Sequence, residues 1–137
     1  MVSPYYNQNY TREDIEAVLI KIKQCVESGH YQISMNVNRQ ENIDFINEYN
    51  IYPQKRREIL MKITADDFCH TLNNTNVGYE HEVLYVFVPQ VDLYNALGES
   101  EKVEIYTKFN VIEMPDGART VVVSFHKKNK PIDYLFR

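Results

Sequence analysis

The chain has 137 residues, a net charge of −4, and 44% hydrophobic and 25% charged residues. That balance fits a globular fold with one core, so a single domain over 1–137 is expected, with 1–10 as a loose segment. It excludes a uniformly basic nucleic-acid binder, and no apolar run approaches the roughly 20 residues of a spanning helix, so no membrane segment is expected.

The charge is unevenly spread. Residues 1–62 hold 8 basic and 8 acidic groups, residues 63–116 hold 2 and 10, and residues 117–137 hold 5 and 1. The C-terminal stretch and the run Lys55, Arg56, Arg57 and Lys62 are local basic patches that a solvated face also explains. Cys25 and Cys69 are too few for a structural zinc site and read as free thiols. The first fourteen residues are polar, with no signal-peptide core, so a cytoplasmic protein is expected.

The predicted elements come in two textures. A helix opens at a Thr11 cap, with Asp14 three residues on, carries Ile15, Val18, Leu19, Ile22 and Val26 on one stripe, and stops at Gly29. "YQISM" (31–35) is a short bridging segment or strand. "RQENIDFINEYNI" (39–51) is a second helix with Ile43, Phe45 and Ile46 inward. Pro53 fits the first turn of a third helix, "PQKRREILMKI". "TADDFCHTL" (64–72) reads as another short helix, capped by Thr64 with Asp67 as its third residue. After Val77 the pattern is β: "HEVLYVFVPQV", "KVEIYTKFNVIE" and, past the Pro115-Asp116-Gly117 turn, "RTVVVSFHK". "DYLFR" adds a last strand or packs down. Helices followed by an antiparallel meander give an α+β fold, N-terminal helices on a C-terminal sheet. Motifs for nucleotide, zinc or redox cofactors are missing, and no cofactor is expected.

The stretch 103–130, two strands around a turn, carries the chemistry. Side chains alternate faces along a strand, and opposed residues of an antiparallel pair share a face. Burying Val103, Ile105, Phe109 and Val111 together with Val121, Val123 and Phe125 requires odd positions to oppose odd ones. Glu104, Tyr106, Lys108 and Asn110 then share the other face with Thr120, Val122, Ser124 and His126. Sheets with one wet face commonly carry polar residues there. Yet a phenol, an ammonium, a hydroxyl and an imidazole within about 10 Å suit metal-independent RNA cleavage, given strands roughly 4.8 Å apart. Tyr106 and His126 are candidate proton-transfer groups, with His70 and His81 in support. Lys108, Ser124, Arg119 and Lys127 are candidates for substrate binding. Two rivals stand beside this reading. One is a non-catalytic module that binds a protein on the same face. The other is an enzyme with Cys69 as nucleophile and His70 or His81 as base, although adjacent helical residues point about 100° apart.

Several strings in order over about 12–128 resemble the MqsR family of mRNA-cleaving toxins, which have a RelE-like fold. They are Val26 to Gly29, Asp67-Phe68-Cys69-His70-Thr71-Leu72, Glu82 to Tyr85, Tyr106-Thr107-Lys108 and Val123-Ser124-Phe125. The resemblance implies a ribosome-independent endoribonuclease acting on mRNA and neutralised by a cognate antitoxin protein. It also implies a site role for Tyr106, with Lys108 beside it. The family's helix Lys becomes His70, its strand Gln falls near His81 or Glu82, and its final-strand basic residue becomes His126.

Overall fold

Three helices and a seven-stranded, mostly antiparallel sheet make a mixed α+β fold in the computed structural model, which describes residues 6–74, 77–79 and 81–137. In chain order these are β1 (Tyr6–Asn7), α1 (Arg12–Ser28), β2 (Tyr31–Ile33), α2 (Gln40–Glu48), α3 (Pro53–Met61), β3 (Phe68–Asn73), β4 (Val83–Phe87), β5 (Gln90–Tyr94), β6 (Ser100–Met114) and β7 (Gly117–Lys127). The sheet order is β1-β3-β4-β6-β7-β2, and β5 pairs the first part of β6. β4 and β5 run along the same partner, interrupted at Pro89, whose carbonyl still accepts from the Ile105 N–H at 2.9 Å.

The helix ends follow the expected chemistry. The Thr11 hydroxyl accepts from the Asp14 N–H and the Asp14 carboxylate accepts from the Thr11 N–H, closing a capping box. Gly29 ends α1 at φ 80°, a left-handed value that glycine adopts without steric cost. Pro53 sits in the first turn of α3. Ile15, Leu19, Ile22 and Val26 of α1 are buried, while Val18 is half-buried. They join Phe45, Ile46, Ile59 and Leu60 over a floor of Phe68, Phe87, Ile105, Phe109, Val122 and Phe125. The four phenylalanines are fully buried, and Phe68–Phe87 and Phe87–Phe109 meet edge to face.

Three expectations are corrected. The first concerns the N-terminal stretch. Tyr6–Asn7, inside the stretch expected to be loose, pairs antiparallel with β3, whereas 31–35 does hold a short strand, β2, which pairs parallel with β7. Residues 1–5 of that stretch lie outside the described residues. The second concerns "TADDFCHTL". Thr64 and Asp67 do form a capping box, but it closes only a 3₁₀ turn over Ala65–Asp67. Phe68 is already extended, and the aromatic and β-branched run that follows takes its hydrogen bonds from β4. His70 and Cys69 are therefore on a strand, not a helix. "DYLFR" forms no strand and packs Leu135 and Phe136 against the core.

The third correction is in the hairpin register. Tyr106 opposes His126 and Lys108 opposes Ser124, as the parity argument requires. Past Lys108 the register shifts, so Phe109 opposes Val122 and Val111 opposes Thr120, with Val123 as the extra residue of a bulge. Thr120 and Val122 are thereby buried on the helix side rather than on the polar face. The physical reason is Asn42 of α2, fully buried. Its amide donates to the Ser34 carbonyl at 2.8 Å and the Val123 carbonyl at 3.1 Å, and its oxygen accepts from the Phe125 N–H at 2.8 Å. β2 stops pairing at Val122, and one side chain satisfies the backbone that a longer strand would have paired.

Candidate functional site

On the sheet face away from the helices, β3, β4, β6 and β7 align His70, Val86, Lys108 and Ser124 in one row. Two residues along β6, Tyr106 opposes His126, and their rings stack at 5.4 Å between centroids and 17° between planes. At roughly 4.8 Å between strands, Lys108 lies beside Ser124 and about 10 Å from His70. Tyr6 of β1 stacks on His70 at 4.1 Å. The Lys130 ammonium lies 5.9 Å from the Tyr106 ring centroid.

This face is drier than the alternation of the sequence suggests. Cys69, Val86, Val88 and Tyr106 form a second apolar cluster, covered by Leu72, Ile132 and Tyr134. Residues 128–137 cross it as a strap. The Lys128 N–H bonds the Glu104 carbonyl, the Tyr134 hydroxyl donates to the Val88 carbonyl at 2.7 Å, and the Leu135 N–H bonds the Phe68 carbonyl. The Lys128 ammonium pairs with Glu104 at 3.3 Å, which accounts for the one acid of the hairpin's polar face nearest the strap.

Desolvation sets the protonation states here. Burial pushes the Tyr106 phenol up to about 12, so it stays a proton donor at neutral pH. Tyr106 is only 6% exposed, but its hydroxyl is not among the fully buried atoms and takes no hydrogen bond from the described residues. Burial, helped by Lys130, lowers His70 to about 4, so its imidazole is neutral and does not replace a lysine's charge. Its Nε2 is buried without a hydrogen-bond partner, a condition that costs free energy unless something uses that atom. Burial lowers Lys108 too, with the charges of Arg39 and Lys130 acting in the same direction and Glu41 opposing. The Cys69 thiol is raised to about 12, chiefly by burial. A thiol so far from ionised is no nucleophile at neutral pH, which removes Cys69 as a catalytic candidate.

His126 has the geometry of a general base. Its Nδ1 lies 2.8 Å from the Lys127 carbonyl. A carbonyl only accepts, so Nδ1 carries a proton, and in the neutral ring the lone pair is then on Nε2. Glu41 Oε2 is 3.6 Å from Nε2, close enough to stabilise an imidazolium once Nε2 takes a proton.

Not every expected residue gathers here. His81 is exposed in the turn before β4 and lines a cleft of about 350 Å³ with Lys21, Glu82, Asn110 and Glu113, toward the far end of the sheet. Arg119 opposes Ile112 near the hairpin tip and pairs with Asp116 at 3.8 Å. Lys127 points to the helix side, bonded to Glu48 at 3.1 Å and set over the Tyr49 ring at 4.9 Å. The structure thus assembles Tyr106, His126, His70, Lys108 and Ser124, and leaves His81, Arg119 and Lys127 outside. It adds Tyr6, Arg39, Glu41, Asn42 and Lys130. Only Asn42 had a visible signal: it shares the helical face of Phe45, Ile46 and Tyr49, so a polar residue stood in an apolar stripe. The others arrive from distant segments. The α3 basic run is partly tied down, with Arg56 bonded to the Ile51 carbonyl, Arg57 to the Glu27 carbonyl and Lys55 3.9 Å from Glu58.

Among the described residues no His, Cys, Asp and Glu group is arranged to hold a metal, and no helix is long and apolar enough to cross a membrane. No protein-family model, curated protein or solved structure matches the chain.

Proposed function

We propose that the protein is an endoribonuclease of the MqsR-like toxin class, cutting mRNA without a metal and held in check by an antitoxin protein. The observation that carries this reading is the His126–Tyr106 stack beside Lys108 and Ser124: an imidazole, a neutral phenol and a desolvated ammonium on one face. In the proposed reaction His126 Nε2 takes the proton of the ribose 2′-OH, and the 2′-oxygen bonds to phosphorus. The P–O5′ bond breaks, and Tyr106 donates its proton to the departing 5′-oxygen, leaving a 2′,3′-cyclic phosphate and a 5′-hydroxyl. Lys108 and Ser124 stabilise charge on the phosphoryl oxygens, and Glu41 stabilises the imidazolium. The acidic total does not oppose this, because Glu82, Glu101 and Glu113 lie toward the sheet's ends, paired with Asn110, Asn95 and Lys21.

The cover over Tyr106 favours a second reading, a protein-binding module without catalysis on the same face. Induced expression in a bacterial host separates the two. Growth arrest with new, sequence-restricted mRNA 5′ ends, lost in Tyr106→Phe, supports the nuclease. Normal growth and intact mRNA with soluble, folded protein support the binding module.

A further inference from the structure

We infer that Arg39, Lys108 and Lys130 form a cradle for a backbone phosphate of single-stranded nucleic acid, an inference that deepens the nuclease reading and rests on it. The three cations come from unrelated places. Arg39 ends the 3₁₀ turn that leads into α2, Lys108 is central on β6, and Lys130 lies on the C-terminal strap. The site's own contacts bring them together. Glu41, two residues after Arg39, reaches His126 at 3.6 Å, His126 stacks on Tyr106, and Lys130 lies over that same ring.

Their position distinguishes them, since among the described residues Lys23, Lys62 and Lys102 also hold no carboxylate within 4 Å. Elsewhere Arg12, Lys21, Arg119, Lys127, Lys128 and Arg137 each hold a carboxylate within 4 Å. Among the described residues Arg39, Lys108 and Lys130 hold none. The charges of Arg39 and Lys130 both reach Lys108 and lower it beyond what burial does, with only Glu41 offsetting them. Such mutual repulsion is relieved by an anion, and a phosphodiester supplies the charge and several acceptor oxygens at once. Tyr106 and His126 place aromatic faces beside the cradle, on which a base of a single strand can stack. A duplex offers no such unstacked base.

The test uses the full chain and a mixed-sequence single-stranded deoxyoligonucleotide, which lacks the attacking 2′-hydroxyl and is not cut. Affinity is measured against salt concentration. Arg39→Gln with Lys130→Gln is expected to lower the salt slope by up to about 0.7, the value of one phosphate contact on a single strand. Lys130 is exposed and Arg39 half-buried, so the urea midpoint of the pair is measured beside the binding to show that the fold is kept. Lys62→Gln with Lys102→Gln removes the same charge from the α3–β5 cleft and is expected to leave the slope unchanged. Equal loss in both pairs, or no binding by folded wild-type chain, overturns the cradle. Cleavage of RNA with no slope change in the first pair overturns the cradle and leaves the nuclease standing. A slope change without RNA cleavage keeps the cradle and removes the nuclease.

Discussion

The two faces of the sheet use the same strands for opposite ends. The helix-side face buries a large, nearly all-apolar set in which the Thr107 hydroxyl donates to the Phe87 carbonyl at 2.6 Å, while the Thr120 hydroxyl is buried without a partner. The other face buries four residues, Tyr106 among them, under a strap, and desolvates Tyr106, His70 and Lys108 with ring contacts but no hydrogen bond to the His70 Nε2. One face stores stability. The other spends some of it holding ionisable groups away from their ordinary protonation. Unsatisfied, desolvated groups are a liability in a purely structural surface and are common at sites of chemistry.

The contrast is open to breaking, beginning with the largest effect. Phe125→Ala should cost about 3–5 kcal/mol in urea denaturation, while Val88→Ala, on the opposite face, should cost about 1–2 kcal/mol. Equal losses would mean that the second cluster is a core in its own right.

His70 gives a pH-dependent test. Its native pKa, about 4, lies below the ordinary 6.5, so the unfolded chain takes up a proton first as the pH falls. The His70 contribution is therefore fully present above pH 6.5 and lost as pH falls toward 4, amounting to on the order of 3 kcal/mol. His70→Gln should flatten the urea midpoint across that window relative to wild type. An unchanged slope would mean that His70 is solvated.

Asn42→Ala should cost about 2 kcal/mol, because the Phe125 N–H and two carbonyls lose their partner. Amide exchange at Phe125 should accelerate, and the Tyr106–His126 ring contact should loosen. The smallest effect concerns Cys69: in a Cys25→Ser background the folded chain should stay unlabelled by a thiol reagent at pH 8, and rapid labelling would place Cys69 at a reactive surface.

Much of the fold was legible in local chemistry. Thr11, Asp14, Gly29, Pro53 and Thr64 each marked a boundary because caps and stops act within one turn of the chain. That Tyr106, Lys108, Ser124 and His126 share a face was legible because one-residue slips expose a whole face. The flip beyond Lys108 was not, since it depends on Asn42 reaching from 81 residues away to the Val123 carbonyl. His70 was misplaced because a capping box signals a turn's start and not its length. Dryness of the polar face was hidden for the same long-range reason: Ile132 and Tyr134 cover it from the end of the chain.

The most direct test of the account incubates purified full-length chain with cellular RNA in EDTA and reads the chemistry of the new ends. The account predicts 2′,3′-cyclic phosphates and 5′-hydroxyls, with a loss of about 10²-fold or more in His126→Ala at unchanged urea stability. Folded wild-type protein that leaves the RNA intact, or a His126→Ala variant that cuts at the wild-type rate, would contradict it.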